Sequence, residues 1–282
     1  MKSRAITRYS QTVESSSVHV FKTEVKDQVG YLFLDRPEKS NAMGSVFFGN
    51  LPLRIAELDG NPHVRVIVIA STSKHFSTGL DLMELEDILS GGDTGDSGKT
   101  LNTIEELQRS VSSLANCKKP VIAAVNGHCI GAALDLISYA DIRICSADAI
   151  FSIRETKLAM IPDLGSLQRL PSIISRGHLA ELALTGRDIS AIAALELGLV
   201  NYVCRDKVEL MSKAFALATE IAENSPTATQ GVKEVLRVVY DEQIERQLEL
   251  VAQLSLPQLG SHDLREAVTA FVEKRPPRFT GN

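Results

Sequence analysis

Val64-Arg65-Val66-Ile67-Val68-Ile69-Ala70 is a β-branched, apolar run with one charged residue, Arg65. Such a run does not alternate inside and outside, so it reads as a strand buried on both faces. Pro120-Val121-Ile122-Ala123-Ala124-Val125 reads the same way. Working outward, residues 18–25 and 29–34 read as two strands separated by the turn-like Lys26-Asp27-Gln28. Residues 47–58, 103–114 and 131–139 carry helical patterns, and 141–145 and 150–153 look like strands. Beyond Gly165 the pattern is helical, apart from a short strand at 199–204 and a break around Pro257, Gly260 and Ser261. Strands alternating with helices predict an α/β layered fold. The expected organisation is a flexible N-terminus over 1–17, an α/β core over 18–205 and a helical region over 206–282. The apolar stripes of that last region must be buried on the core or on another subunit. Residues 90–100, Ser-Gly-Gly-Asp-Thr-Gly-Asp-Ser-Gly-Lys-Thr, predict a mobile loop.

Composition narrows the function classes. The chain has 282 residues, 44% of them apolar and 23% charged, which excludes disorder throughout. Its net charge of −5 gives no global attraction to nucleic acid or anionic membrane. With 5% aromatic residues and no Trp, a base-stacking surface has little material. No apolar stretch is long enough to cross a bilayer. Cys117, Cys129, Cys145 and Cys204 form no CxxC pair and no metal-type spacing, so free thiols and no metal site are expected. The first residues, with Lys2, Arg4 and Arg8 ahead of Glu14, share a basic start with mitochondrial presequences; a frayed terminus is the plainer expectation. The final residues are not a peroxisomal address. Cytoplasm is the expected compartment, or the mitochondrial matrix for a eukaryotic chain.

Three stretches hold candidate chemistry. In His75-Phe76-Ser77-Thr78-Gly79-Leu80-Asp81-Leu82, Gly79 permits a tight turn that aims the Leu80 amide into a cleft. In Asn126-Gly127-His128-Cys129-Ile130-Gly131-Ala132-Ala133-Leu134-Asp135, small residues at a strand-to-helix junction let a ligand approach free amides. One amide from each stretch would make an oxyanion hole; close helix–strand packing needs the same small residues. The third stretch runs from Glu155, read as the end of a strand, to Asp163 in a loop before a helix near Gly165. Taken singly, these are a surface charge and a helix cap. Together with Asp135 they are three carboxylates among apolar neighbours, and such groups resist ionising and can exchange protons near neutrality.

The assembled pattern resembles the crotonase, or enoyl-CoA hydratase/isomerase, superfamily. The resemblance is carried by Leu34-Asp35-Arg36-Pro37-Glu38-Lys39-Ser40-Asn41-Ala42-Met43, the Phe76–Leu82 turn, Lys119-Pro120-Val121-Ile122-Ala123-Ala124-Val125-Asn126-Gly127 and Asp141-Ile142-Arg143. It implies a crotonase-like spiral of ββα units with a C-terminal helical region. Asp135, Glu155 and Asp163, at intervals of 20 and 8, are similar to the carboxylates of the Δ3,5-Δ2,4-dienoyl-CoA isomerase subfamily. A hydratase more usually has Glu at position 135 and no acid at 163. The chain departs from the family at Gly131-Ala132-Ala133, where three glycines are common, and at Ile161-Pro162, where small residues are expected.

The resemblance implies isomerisation of 3,5-dienoyl-CoA to 2,4-dienoyl-CoA in fatty acid degradation. Leu80 and Ala132 would supply the oxyanion amides, Glu155 and Asp163 the proton transfers, and Asp135 a pocket-lining tuning charge. Lys39, Phe76, Gly79 and Gly131 would border the CoA moiety, Phe76 on its adenine side. No cofactor is required beyond the CoA of the substrate, and a homotrimer or dimer of trimers is implied. The alternatives are an enoyl-CoA hydratase and, from another class, a non-catalytic acyl-CoA-binding or RNA-binding protein.

Overall fold

The computed structural model describes residues 20–84 and 97–281. The expected flexible N-terminus therefore lies outside the described residues, as does most of the expected loop at 90–100.

Strands β1 (Phe21–Lys26) and β2 (Val29–Leu34) form an antiparallel hairpin. Asp27 and Gln28 both have positive φ, 48° and 65°, the geometry that matches strand twist in a two-residue turn. Helix α1 (Ser45–Gly60) returns the chain to β3 (Val66–Ser71), which pairs parallel with β2. Helix α2 (Ser97–Asn116) leads to β4 (Val121–Val125), parallel to β3. A second small sheet begins with β5 (His128–Ile130), followed by helix α3 (Ala132–Ser138). The chain then adds β6 (Ile142–Ser146) to the main sheet and β7 (Ile150–Ser152) to the small one. Helices α4 (Ser166–Arg169) and α5 (Arg176–Thr185) precede β8 (Ile189–Ser190), helix α6 (Ala191–Glu196) and β9 (Tyr202–Cys204). Helices α7 (Lys207–Ala222), α8 (Pro226–Leu259) and α9 (His262–Val272) complete the described chain. The main sheet has the order β1-β2-β3-β4-β6-β9 and the small one β5-β7-β8.

All six residues of β3 are buried, because both faces of the main sheet are covered. On one face Ile67, Ile69, Val121 and Ala123 join a core shared with α1, α2 and α3. On the other, Val66, Val68, Ile122 and Ala124 pack under α7. That helix presents Leu210, Ala214, Ala218 and Ala222 at helical spacing, and the small side chains let it lie close to the strands.

Three local expectations are corrected. Residues 97–100 are the first turn of α2, which runs on to the buried Ile104, Leu107, Val111 and Leu114. The tight connection 126–131 contains β5, paired with β7, where no strand was expected. Glu155 does not end a strand: β7 stops at Ser152, beyond its last partners on β8, and Glu155 opens a 3-10 turn (Glu155–Leu158). The expected break over 256–261 is found at Gly260 and Ser261, between α8 and α9, and Pro257 sits in the last turn of α8. All four cysteines are buried and unpaired.

Candidate active site

The polar frame of the site starts at Asn41. Its side-chain amide is buried and donates to Ser71 Oγ, Ser73 Oγ and the carbonyls of His75 and Phe76, at 2.8–3.1 Å. Its Oδ1 accepts from the Arg36 amide at 2.7 Å. Ser40 and Asn41 both have positive φ, 51° and 55°, a conformation Asn tolerates better than most residues. Ser77 Oγ donates to the Asn41 carbonyl and accepts from the Gly79 amide. Arg36 pairs with Asp81 at 3.0 Å, closing the far side of the turn. The segment around 76–81 is thus fixed by side chains from a loop some 40 residues earlier. Its bridge from Met43 to Leu80 tethers it again.

Gly79 has φ of +86°, and a Cβ there would stand 2.6 Å from the Ile130 carbonyl oxygen and 3.4 Å from the Ala132 amide nitrogen. The turn therefore lies directly against the start of α3. Gly131, at φ 56° and ψ −125°, adopts a conformation essentially restricted to glycine. Among the described residues, neither the Leu80 amide nor the Ala132 amide makes a backbone hydrogen bond. Both residues line a cavity of about 420 Å³ together with Lys39, Gly79, Gly131 and Glu155. Leu82, Leu158, Met160 and Phe271 supply much of its apolar wall.

The carboxylates divide by position. Glu155 lines the cavity and is buried, and among the described residues its Oε2 has no hydrogen-bond partner. A Cβ added to Gly131 would come within 3.1 Å of its Oε1. Burial, then the charges of Asp135 and Asp163, push its pKa well above the usual range. Asp135 is buried on α3 and accepts from the Ser166 amide at 2.6 Å. Burial raises its pKa to about 6, opposed by hydrogen bonding to Ser166. Asp163 is half-buried in the loop before α4, its backbone carbonyl held by Gln108 Nε2 at 2.7 Å. Burial and Asp135 push its pKa up to about 7, with the neighbouring Ser255 hydroxyl acting in the other direction. The three acids thus form one electrostatically coupled group beside an apolar cavity, and each is able to hold a proton near neutrality.

Two expectations about these side chains need correction. Asp135 does not line the cavity; its carboxylate is engaged with the Ser166 amide, and its influence on Glu155 is electrostatic. Phe76 does not border the cavity either. It is fully buried in the main core, because its neighbours Ser77 and Gly79 make the turn while its ring points inward. Asp163 is also absent from the cavity wall, whereas Lys39 stands at its edge, 4.0 Å from Asp81 and about half exposed. Sequence reasoning missed the organising roles of Asn41 and Ser77. It also missed the wall contributed by Phe271, 191 residues beyond Leu80 and lacking any local signal.

Comparison with known proteins places this geometry among relatives. The family model described as enoyl-CoA hydratase/isomerase matches residues 24–282. A protein named peroxisomal Delta(3,5)-Delta(2,4)-dienoyl-CoA isomerase from Arabidopsis thaliana is 42% identical over 95% of this chain and 99% of its own. The mitochondrial protein of the same name from Homo sapiens is 37% identical over 90% of this chain and 79% of its own. A crystal structure of an enoyl-CoA hydratase/isomerase from Pseudoalteromonas atlantica superposes with a TM-score of 0.81 at 26% identity, covering 93% of this chain and 100% of that one.

Proposed function

The chain belongs to the enoyl-CoA hydratase/isomerase family and is an enzyme of isomerase type, and from that premise we propose that it converts a 3,5-dienoyl-CoA to the 2,4-dienoyl-CoA. The reaction moves two conjugated double bonds by one carbon each. A proton leaves C2 and another arrives at C6. Atoms only change places, so the chemistry needs neither a redox group nor a metal.

The C2 proton is acidic because the charge left behind spreads onto the thioester oxygen and along the diene. In this reading the amides of Leu80 and Ala132, two residues that line the cavity, meet that oxygen; losing one such donor typically costs about 3–4 kcal/mol of transition-state stabilisation. Glu155 meets the acyl group from the cavity wall. Asp163 serves the far end of the diene, and its pKa of about 7 suits a group that both takes and gives a proton. Asp135 keeps the pair from ionising together, since like charges in a dry site raise each other's pKa. Lys39, at the cavity edge, is placed to meet a phosphate of CoA.

The observation that carries this reading is the coupling of Asp135, Glu155 and Asp163 beside a cavity that also presents two unengaged amides. A hydratase site instead has to poise a water between two acids, and Asp135 is committed to Ser166. Purified protein is therefore expected to convert 3,5-octadienoyl-CoA, followed by the ultraviolet absorbance of the product, far faster than it hydrates crotonyl-CoA. The opposite ranking would replace isomerisation by hydration.

A homo-oligomer is part of the same reading. Val232, Val235, Leu236 and Val239 form an exposed apolar stripe on α8 at spacings of three and four residues, suited to a neighbouring subunit.

A further inference from the structure

The direction of the Leu80 amide is set from the side of the turn away from the cavity. In a trans peptide the C=O and the N–H point opposite ways. The Gly79 carbonyl accepts from the Met43 amide at 2.8 Å, so the Leu80 N–H of the same peptide unit is turned away from Met43. Met43 belongs to the buried core and Leu80 to the cavity wall. The Met43 carbonyl in turn accepts from the Asp81 amide at 3.0 Å, so one residue grips the chain on both sides of Leu80.

Arg36 holds that pairing together. Its Nη1 donates to the Ala42 carbonyl at 3.2 Å and to Asp81 Oδ2 at 3.0 Å. Its Nη2 donates to Glu84 Oε1 at 3.3 Å, and the other oxygen of Glu84 accepts from the Ser45 amide, at the start of α1, at 3.1 Å. Ala42 precedes Met43 and Asp81 follows Leu80, so a single guanidinium spans the two segments whose pairing orients the peptide. Asp81 is further fixed by the Met83 amide, which donates to its Oδ1 at 3.2 Å. The Arg36 and Asp81 side chains are 14% and 5% exposed, so salt screens the pair only weakly. A planar fork can hold three acceptors at set angles, which an ammonium on a flexible stem cannot do.

We propose that Arg36 is a positioning residue for the Leu80 amide: by bridging the Ala42 carbonyl and the Asp81 carboxylate, its guanidinium fixes the plane of the Gly79–Leu80 peptide and so the direction of the donor offered to the thioester oxygen. The inference rests on the reading of Leu80 as an oxyanion donor. Neither Arg36 nor Asp81 lines the cavity, so the pair acts on the reaction only through the backbone it holds.

The test compares Arg36→Met, which removes the fork, with Arg36→Lys, which keeps a cation beside Asp81 and Glu84. Octanoyl-CoA carrying 13C at the thioester carbonyl is bound to each enzyme and read by isotope-difference infrared spectroscopy. A donor on the carbonyl oxygen displaces the band below its position in solution. Wild type should show this displacement, and both variants should lose much of it, Arg36→Met the more. In the isomerase assay kcat should fall by about tenfold to a hundredfold, short of the roughly 10²–10³ lost with a whole donor, while KM stays within about threefold. Should Arg36→Met fail to fold, because two carboxylates are left without their cation, Arg36→Lys decides by the same readouts. A purely structural role lowers the melting temperature and leaves the carbonyl band and kcat of the folded variants at their wild-type values; that result overturns the proposal. So does a wild-type band at its solution position, since Arg36 then has no donor to aim. A band displaced in wild type and relaxed in the variants, in an enzyme inactive on 3,5-dienoyl-CoA, leaves the role of Arg36 standing and removes the isomerase reading instead.

Discussion

Gly79→Ala tests the geometry of the paired amides. The added Cβ would stand 2.6 Å from the Ile130 carbonyl oxygen, against an ordinary closest approach of about 3.3 Å for carbon and oxygen. It meets backbone, which cannot swing aside like a long side chain. The turn and the start of α3 must therefore separate by roughly 0.7 Å, the difference between those two distances. Gly79 also sits at φ +86°, a conformation that costs a non-glycine residue about 1–3 kcal/mol. The Ala132 amide, 3.4 Å from the same Cβ position, moves away from the Leu80 amide as the gap opens. An oxyanion donor displaced this far loses most of its contribution, so kcat should fall by about 10²–10³. Stability should fall by about 1–3 kcal/mol, leaving a folded protein. Steady-state turnover of a 3,5-dienoyl-CoA, together with urea unfolding, measures both. Activity within threefold of wild type in a Gly79→Ala enzyme destabilised as expected would refute the claim that these two amides act as a pair.

Three other substitutions probe separate parts of the account. Phe76→Ala should cost about 3–5 kcal/mol in urea unfolding, with KM for the CoA thioester unchanged once the enzyme is folded, since the ring fills the core and not the cavity. Asp135 and Asp163 have folded-state pKa values raised to about 6 and about 7, so the folded protein binds more protons than the unfolded chain between about pH 4 and pH 7. Their contribution to stability is favourable below that window and is lost as pH rises through it. Asp135→Asn should accordingly flatten the fall of melting temperature between pH 5 and pH 8, read by differential scanning calorimetry, and an unchanged slope would contradict the assigned shift. Val235→Asp places a charge in the apolar stripe of α8 and should reduce the sedimentation coefficient of the oligomer to that of a monomer. A wild type that already sediments as a monomer would remove that inference.

What the sequence disclosed follows from where its signals are local. The 64–70 run is a sheet centre whatever surrounds it, because the five consecutive apolar residues Val66 to Ala70 can be satisfied only by cover on both faces. Asp135, Glu155 and Asp163 stand out in the sequence as acids among apolar neighbours, and the resemblance of their 20 and 8 spacing to the dienoyl-CoA isomerase subfamily groups them. The structure added what depends on distant contacts. Asp135 faces the Ser166 amide and not the cavity, which is a matter of how α3 and α4 meet. Phe76 reads equally well as a ligand-facing ring or a core ring, and only the Asn41–Ser77 network decides which way the turn faces. Strand β8, with two residues, is too short to give a periodic signal and exists because β7 offers it an edge. Phe271 reaches the cavity from the last helix, 108 residues beyond Asp163, so no local pattern could have pointed to it.

The central claim is that proton transfer runs through Glu155 and Asp163 in a single coupled site. Its most direct test is turnover of 3,5-dienoyl-CoA by Asp163→Asn, a substitution that preserves shape and removes the titrating proton. Isomerisation should drop by at least about 10²-fold, the lower end for a lost general acid–base group, while the melting curve and the affinity for a saturated acyl-CoA stay near wild type. Turnover close to wild type by a folded Asp163→Asn enzyme would show that the proton takes another route and would contradict the account at its base.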